Sequence, residues 1–310
     1  MVRRVSATKC FTAAGVTQLN RPLRRPLVSV VIPCFNHARF LGEAIESALA
    51  QTYAPIEIVV VDDGSMDNSA EVAQRYPVRL VRQANQGLAA AGNAGIRASR
   101  GEFVVRLDAD DCLRSGYVAE TLQPLLDNPR IHFVYTQVEY FGARTGSYPV
   151  EDFDLDTLAE RNYIHASAMM RRSSFDAVGG YSVDMRGLRC EDWDLWLSFA
   201  ERGFRGHLVP RQLLQYRQHT SGSMVTINFR SVAGLRRELT IMSRLYAHHP
   251  AVFTPPRLLR RLATLPRRLL QRQVSLRFAC MLVSFYAVLL VQHTMRTKPR
   301  PSEHSLSTSD

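Results

Sequence analysis

The stretch Val28-Ser29-Val30-Val31-Ile32-Pro33 decides the fold of this chain. A run of β-branched residues that ends at a proline is typical of a strand buried on both faces of a sheet. The next segment, 37–51, carries apolar residues at helical spacing and predicts a helix. The alternation recurs three more times, with strands predicted at 56–61, 78–81 and 103–107 and helices at 67–75, 88–99 and 115–126. Four such units predict an α/β domain with a mostly parallel central sheet flanked by helices. Further along, 171–181 resembles a short helix ended at Gly179-Gly180, and 213–217 predicts a last strand.

Three of the predicted strands end in polar clusters. The clusters are Pro33-Cys34-Phe35-Asn36, Asp62-Asp63-Gly64-Ser65 and Asp108-Ala109-Asp110-Asp111. The carboxyl ends of parallel strands meet at one edge of a sheet, and ligands of such sheets bind there. We therefore expect the three clusters to belong to one site.

The cluster Asp108-Ala109-Asp110-Asp111 has the composition of a metal site. Two carboxylates one residue apart can face one hard cation, and Mg²⁺ or Mn²⁺ prefers oxygen ligands together with substrate phosphates. Such an ion would neutralise a departing nucleoside diphosphate. A solvated acidic turn or a helix N-cap has the same composition, so the motif alone leaves both interpretations open.

The cluster Asp62-Asp63-Gly64-Ser65 is also open to more than one interpretation. An aspartate after a strand can accept a hydrogen bond from a nucleobase or a ribose hydroxyl, or it can serve only the turn. A phospho-acceptor site is a third interpretation, but the later lysine-bearing strand that such a regulator needs is not found in this sequence.

Two later motifs add candidate residues. In Glu191-Asp192-Trp193 a carboxylate beside an aromatic ring suits a base that takes a proton from a sugar hydroxyl. The alternative is a helix whose first turn holds acids that favour its dipole, with the tryptophan in the core. In Tyr216-Arg217-Gln218-His219 the histidine suits a metal and the arginine a phosphate, although a single histidine is more often structural.

Charge and cysteine content exclude some classes of protein. The 310 residues carry a formal net charge of +11, but the excess of arginine and lysine lies in 1–27 and 228–310, and acids outnumber bases between them. This distribution argues against nucleic-acid binding and favours a soluble domain held near an anionic surface. The five scattered cysteines include no CxxC pair and no zinc-type spacing, which predicts a reducing compartment and no disulfide framework.

The two ends of the chain differ from its middle. Residues 1–26 are predicted to be a disordered basic arm, since no apolar segment of a secretory signal follows the basic residues. A domain at 27–227 is followed by a basic, apolar helical extension at 228–296 and by a disordered tail at 297–310. The nearly continuous apolar run Phe278–Val291 favours an anchor on an anionic membrane surface; a buried helix and a spanning helix are the alternatives.

Together and in this order, the motifs resemble those of the family 2 glycosyltransferases of GT-A fold. The resemblance covers about residues 26–222. The matching segments are Val28 to Asn36, Val60 to Ser65, Asn85-Gln86-Gly87, Asn93-Ala94-Gly95, Leu107 to Asp111, Gly179-Gly180-Tyr181, Glu191-Asp192 and Tyr216 to His219.

The resemblance implies an inverting transfer from a nucleotide-diphosphate sugar, by default a UDP-sugar, to a hydroxyl of a glycan or lipid-linked acceptor. It implies that Asp192 is the catalytic base and that Asp110, Asp108 and His219 hold Mn²⁺ or Mg²⁺. Acceptor contacts are implied at Glu191 and Trp193, and Asp62 is implied to bind the nucleobase. The implied donor contacts are Pro33, Phe35, Asn36, Asp62, Asp63, Asn93, Asp108 and Arg217.

The sequence departs from the family pattern in two places. Gly92 stands where many relatives have an arginine, so a basic donor contact is lost or supplied elsewhere. The Gln-x-x-Arg-Trp motif and the several spanning helices of processive synthases are not found, which predicts transfer of a single sugar. By analogy, the enzyme would act in cell-envelope or exopolysaccharide synthesis, peripherally on the inner face of the plasma membrane.

Two rival functions have different sequence requirements. A sugar nucleotidyltransferase would carry a glycine-rich, basic loop after the first strand, which Pro33-Cys34-Phe35-Asn36 is not. A non-catalytic scaffold of a polysaccharide assembly would tolerate loss of Asp108, Asp110 and Asp192, yet all three acids are present.

Overall fold

The computed structural model describes residues 25–148, 150–220, 232–263, 266 and 276–297. Its strands are β1 (Val28–Cys34), β2 (Ile56–Asp62), β3 (Arg79–Arg82), β4 (Phe103–Arg106), β5 (Cys112–Leu113), β6 (Ile131–Gly142), β7 (Gly146–Tyr148), β8 (Met169–Arg171) and β9 (Arg205–Gln218). Its helices are α1 (Ala38–Leu49), α2 (Ser69–Gln74), α3 (Leu88–Ala98), α4 (Tyr117–Asp127), α5 (Leu155–Glu160), α6 (Arg172–Ala177), α7 (Glu191–Glu201), α8 (Val232–His248), α9 (Pro255–Ala263) and α10 (Leu276–Thr297).

The described strands form one mixed sheet in the order β3-β2-β1-β4-β8-β6-β9-β5, with β7 paired to the outer part of β6. The predicted parallel half is confirmed, because β1 lies between β2 and β4 and is parallel to both. All seven residues of β1 are buried, as its β-branched composition predicts. The polar ends of β1, β2 and β4 therefore reach the same edge of the sheet.

The other half of the sheet is antiparallel around β8. This three-residue strand lies between β4 and β6 and is antiparallel to both. It was not predicted, since three residues are too few to show a period of two. The strand predicted at 213–217 is only the end of β9, which begins at Arg205 and pairs with β6 along its whole length.

Most predicted helices begin and end within two residues of the observed helices. One observed helix is much shorter than its prediction. The helix predicted from Arg171 to Tyr181 ends at Ala177. Gly179 and Gly180 follow it with φ of +85° and +81°, which is left-handed backbone that stops a helix. A Cβ at Gly180 would also lie 2.7 Å from the Asn93 side chain, so glycine is required there.

The carboxyl-terminal extension consists of α8, α9 and α10. The side chains of Leu282, Tyr286 and Leu289 on α10 are buried, and the Tyr246 hydroxyl on α8 donates to the Leu289 carbonyl at 3.3 Å. One face of the predicted apolar run 278–291 is thus packed against the protein. No helix within the described ranges is both long enough and apolar enough to cross a membrane. The predicted disordered ends lie, apart from a few residues, outside the described residues.

A buried ion-pair cluster fastens α8 to α7. His249 lies between two acids, with Nε2 at 3.0 Å from Asp194 Oδ1 and Nδ1 at 2.9 Å from Glu201 Oε2. His248 Nδ1 lies 2.8 Å from the same Asp194 oxygen. Burial lowers the pKa of His249, but the hydrogen bonds and charges of Asp194 and Glu201 outweigh that effect and raise it to about 9.

Replacing His249 by leucine should lower the free energy of unfolding by about 3 kcal/mol at pH 6, because two carboxylates lose their cation. The folded-state pKa lies above the ordinary value of 6.5. The stabilisation is therefore fully present below pH 6.5 and is lost as the pH rises through about 9. Denaturant titrations at pH 6 and pH 10 measure it, with exposed His207→Leu as control. If the free energies of unfolding of wild type and His249→Leu differ by the same amount at both pH values, His249 is not a charged imidazolium in this cluster.

Candidate active site

A cavity of about 1030 Å³ opens at the carboxyl ends of β1, β2 and β4. The three polar strand ends do meet there, as the parallel order predicts. The predicted site residues that line it are Pro33, Phe35, Asn36, Asp63, Asp108, Asp110, Glu191, Asp192, Arg217 and His219. Three predicted residues, Asp62, Asn93 and Trp193, are not on its wall.

The acidic turn after β4 brings Asp110 and His219 together. His219 Nε2 lies 2.8 Å from Asp110 Oδ2, although 109 positions separate the two residues. Arg217 fixes the same turn, with its backbone N–H donating to Asp111 Oδ1 at 2.9 Å and its Nε to the Asp110 carbonyl at 2.8 Å. Glu43 binds the remaining end of the Arg217 guanidinium at 2.7 Å. The Arg217 guanidinium thus already donates to Asp110 and Glu43. Its predicted contact with the donor stays a prediction.

Two carboxylate oxygens in this turn, Asp108 Oδ1 and Asp111 Oδ2, form no hydrogen bond with the residues that the structure describes, although Arg106 Nε lies 3.2 Å from Asp108 Oδ1. Burial and the charges of Asp110 and Asp108 raise the pKa of Asp111 well above its ordinary range. A divalent cation would compensate this concentration of negative charge, and carboxylate oxygens are the ligands that Mn²⁺ and Mg²⁺ prefer. Asp108 and Asp110 thus have the ligand chemistry of such a site, and together with His219 they stay the predicted ligands.

A second group of potential ligands lies away from this cavity. Within the described ranges, Asp194, His248 and His249 are the one trio of such side chains whose ligand atoms all lie within 4.8 Å of one another. They are the interhelical cluster between α7 and α8, and their short mutual contacts already satisfy them as ion pairs. The acidic turn after β4 is the group that faces the cavity.

His165 is a buried neighbour of the acidic turn that the sequence did not suggest. Its Nε2 lies 3.6 Å from Asp111 Oδ2, and its Nδ1 accepts the Ser167 backbone N–H at 3.1 Å. Nε2 therefore carries the hydrogen of the neutral ring. Burial lowers the pKa of His165 to about 4, so the ring stays neutral beside three acids. No motif marks this position, and only the fold brings it to the site.

Asp192 lies in the first turn of α7 and faces the cavity. Burial raises the pKa of Asp192 to about 7, and the neighbouring Glu191 carboxylate adds to the rise. Asn162 Nδ2 donates to Asp192 Oδ2 at 3.0 Å, and the Trp193 backbone N–H donates to Oδ1 at 2.8 Å. A carboxylate with a pKa near neutrality, held in a fixed orientation, has the properties of a general base. Asn162 was not identified from the sequence.

Glu191 pairs with a buried arginine. Arg106 Nη1 donates to Glu191 Oε1 at 2.8 Å, and Arg106 Nε lies 3.2 Å from Asp108 Oδ1. The Arg106 side chain is 2% exposed and also lies over the Tyr181 ring at 5.1 Å. Glu191 is thus committed to an ion pair at the cavity wall, and its predicted contact with the acceptor stays a prediction.

Asp62, the predicted nucleobase contact, does not line the cavity. Asp62 is 2% exposed, accepts the Ser65 backbone N–H at 2.9 Å and lies 3.4 Å from Arg82 Nε. Its neighbour Asp63 reaches the cavity wall and accepts backbone N–H groups from Gln86 and Gly87. Side chains alternate along a strand, so adjacent aspartates at its end point to different sides.

Two further predicted contact residues do not line the cavity and have hydrogen-bond partners within the protein. Asn93 forms a pair of hydrogen bonds with the backbone of Tyr181, at 2.8 and 2.9 Å, and joins α3 to the glycine turn. Trp193 is 8% exposed, and its indole N–H donates to the Leu158 carbonyl at 2.7 Å. Both side chains are structural, because their polar atoms are satisfied inside the protein.

Several known proteins are similar to this chain in sequence. The chain is 30% identical over 204 residues to EpsE of Bacillus subtilis (strain 168), a protein named as a glycosyltransferase, covering 62% of this chain and 73% of that one. It is 29% identical over 194 residues to a chondroitin synthase of Pasteurella multocida (strain Pm70), covering 60% of this chain but only 20% of the synthase.

Solved structures share the fold at low sequence identity. Staphylococcus aureus TarS 1–349 in complex with UDP has a TM-score of 0.54 and 13% identity, covering 88% of this chain and 93% of that one. The mannosyltransferase PcManGT of Pyrobaculum calidifontis, in complex with GDP-Man and Mn²⁺, has a TM-score of 0.54 and 20% identity, covering 89% and 84%. These likenesses confirm the predicted fold class.

The family model described as glycosyl transferase family 2 matches residues 29–196, more than half of the chain. The matched range contains the ends of β1, β2 and β4, the first turn of α7 and all the residues that line the cavity except 216–219. The chain belongs to glycosyl transferase family 2 and has the GT-A fold.

Proposed function

We propose that this protein transfers a single sugar from a nucleoside-diphosphate sugar to a hydroxyl of an acceptor and inverts the configuration of the anomeric carbon. The observation that carries the proposal is Asp192, a half-buried carboxylate with a pKa near 7 on the same cavity as Asp108 and Asp110. This pairing gives a base for the acceptor and a charge partner for the leaving diphosphate.

In the proposed reaction, the acceptor hydroxyl oxygen forms a bond to the anomeric carbon from the face opposite the diphosphate. The bond from that carbon to the diphosphate oxygen breaks, and the nucleoside diphosphate leaves with the electron pair. Asp192 takes the hydroxyl proton, and Asn162 keeps its carboxylate oriented through the 3.0 Å hydrogen bond. A Mn²⁺ or Mg²⁺ ion on Asp108, Asp110 and His219 would neutralise charge on the departing diphosphate.

The donor end of the cavity is proposed to lie at the end of β1. Pro33, Phe35 and Asn36 line it together with Asp63, and Phe35 is 42% exposed. An exposed ring suits stacking on a nucleobase. Asp63 is 2% exposed and its two oxygens accept hydrogen bonds from Gln83, Gln86 and Gly87, so it holds the neighbouring loop at the cavity wall. A UDP-sugar is the default donor, while the similar structures contain UDP in one case and GDP-Man in another.

Calorimetric titration of the full chain with UDP and with GDP, each in Mn²⁺ and in chelator, tests the donor site. We expect metal-dependent binding of one of the two nucleotides and hydrolysis of the matching nucleotide sugar. Binding of neither would favour a non-catalytic scaffold. Release of pyrophosphate from a nucleoside triphosphate and a sugar phosphate would favour a nucleotidyltransferase.

We also propose that the carboxyl-terminal extension rests on an anionic membrane surface on the cytoplasmic side. The outer face of α10 is apolar and about half exposed at Met281, Val283, Val288 and Val291. Residues 228–310 carry fourteen arginines and lysines against three acids. An apolar face beside basic residues suits a surface-lying helix. Such a position would serve a lipid-linked or nascent cell-envelope or exopolysaccharide glycan.

Replacing Met281 and Val288 together by serine should release the protein from vesicles that contain phosphatidylglycerol. Each side chain loses most of its apolar transfer energy, about 1.5–3 kcal/mol when fully buried, so we expect at least about a tenfold loss of partitioning. Vesicle co-sedimentation measures it, and Met66→Ser, at a residue that is 87% exposed on the catalytic domain, is the control. Unchanged retention of the double variant would remove α10 from the proposed contact.

A further inference from the structure

Three tyrosines form one wall of the cavity and have no role in the steps above. Tyr140 of β6 pairs in register with Tyr216 of β9 and with Gly146 of β7. Tyr148 follows Gly146 by two residues, so it points to the same face of the sheet as Tyr140. The ring centroids lie 6.5 Å apart for Tyr140 and Tyr148 and 6.0 Å apart for Tyr140 and Tyr216. These three residues are the tyrosine wall.

The tyrosine wall is joined to Asp192 by two hydrogen bonds. The Tyr148 hydroxyl donates to the Asn162 carbonyl at 2.9 Å, and the Asn162 side chain donates to Asp192 Oδ2 at 3.0 Å. A molecule that rests on the wall therefore lies next to the carboxylate proposed as the base. The far end of the wall meets the acidic turn through Tyr216, whose ring centroid lies 5.2 Å from that of His165.

The chemistry of the wall fits a sugar ring. Its three side chains are half-buried and line the cavity, so each offers an apolar ring and a polar hydroxyl. A pyranose has the same combination, with C–H groups on one face and hydroxyls around the rim. Gly146 has no side chain to cover the neighbouring Tyr140 ring; a Cβ there would already lie 3.6 Å from Cδ2.

We propose that the tyrosine wall is the acceptor subsite and that it takes a pyranose unit of a glycan. The pyranose stacks on the Tyr140 ring and presents one hydroxyl to Asp192. This assignment rests on the proposed transferase function and replaces the acceptor contact that the sequence had suggested at Trp193. A bare polyprenyl phosphate is the competing acceptor; the three wall side chains are neutral, and the exposed apolar face of α10 lies outside the lining of this cavity.

The test uses the full chain loaded with Mg²⁺ and the nucleotide found by calorimetry. Saturation-transfer NMR records the binding of four probes. They are methyl glucopyranoside, methyl galactopyranoside, methyl glucopyranosiduronic acid with its carboxylate free, and a short polyprenyl phosphate. Transfer kinetics to the tightest probe are then measured for wild type, Tyr140→Leu and Tyr140→Phe. Tyr76→Phe, on the α1–α2 side of the domain, is the control. Nucleotide affinity and donor hydrolysis in the wild type report on the proposed function separately.

We expect at least one pyranoside to bind, and Tyr140→Leu to raise its KM by about tenfold, the loss of one ring-stacking contact. Tyr140→Phe should keep a KM close to that of wild type, and the nucleotide dissociation constant should change less than twofold in both variants. Binding of the polyprenyl phosphate alone, or an unchanged pyranoside KM in Tyr140→Leu, would overturn the assignment. A parallel loss of nucleotide affinity in Tyr140→Leu would also overturn it, by showing a structural role. Absence of nucleotide binding in the wild type would instead refute the proposed function.

Discussion

Replacing Asp192 by asparagine should lower kcat by about 10²- to 10⁴-fold, the range that general-base catalysis supplies. The amide has the size of the carboxyl group but cannot take a proton from the acceptor hydroxyl. The nucleotide dissociation constant should stay near the wild-type value, because Asp192 lies on α7 and not in the acidic turn after β4. Transfer assays and calorimetry on the same preparation measure the two quantities.

The pH dependence of wild-type kcat/KM gives an independent check of Asp192, because kcat/KM reports the ionisation of the free enzyme. Its raised pKa of about 7 means that the base is protonated and inactive below that pH. We expect kcat/KM to fall about tenfold per pH unit on the acid side of a midpoint near pH 7. Asp176→Asn, at an exposed residue on α6, should keep both the rate and the profile. Lost nucleotide binding in Asp192→Asn would demote Asp192 to a structural role.

Replacing Asp110 by alanine should abolish the metal dependence of nucleotide binding. Asp110 Oδ2 is 2.8 Å from His219 Nε2, so its loss removes one proposed ligand and the partner that orients another. Changes in outer-shell partners typically cost about 10- to 100-fold in metal affinity, and loss of a direct ligand should cost at least as much. Calorimetric titration with UDP or GDP in Mn²⁺, and again in chelator, measures the effect.

The control for Asp110→Ala is Asp176→Ala, which removes an exposed carboxylate away from the cavity. In this control variant, nucleotide affinity should differ between Mn²⁺ and chelator by as much as it does in wild type. Thermal unfolding of both variants shows whether the fold is intact. If Asp110→Ala binds the nucleotide in Mn²⁺ with wild-type affinity, the assignment of Asp110 as a metal ligand is wrong. The trio Asp194, His248 and His249 is then the remaining candidate for a metal site.

The parallel half of the fold was predictable because its information is local. The strands β1, β2 and β3 are each followed by a helix, and α4 follows β4 after the two-residue strand β5. The apolar period changes from strand to helix within a few residues. The buried strands are rich in valine and isoleucine, which fits a sheet covered on both faces. The antiparallel half was less predictable, since the short β8 is defined by its neighbours β4 and β6 rather than by a pattern of its own.

The candidate site was predictable only to the level of motifs. Asp108, Asp110 and Asp192 stand in matching motifs, and the structure places all three on one cavity. Choosing between adjacent residues was beyond the motif, because Asp62 and Asp63 differ only in the side of the strand end to which they point. Trp193 likewise has the composition of a sugar platform but the position of a core residue.

The sequence by itself determined the elements, their parallel order and the acids at the strand ends, because these depend on periodicities within single segments. Only the tertiary structure decided which side chains share a surface. Arg106 with Glu191, Asn162 with Asp192, and the pairing of Tyr140 with Tyr216 each join segments 30 or more residues apart. Such contacts depend on burial and strand register, which no local pattern encodes.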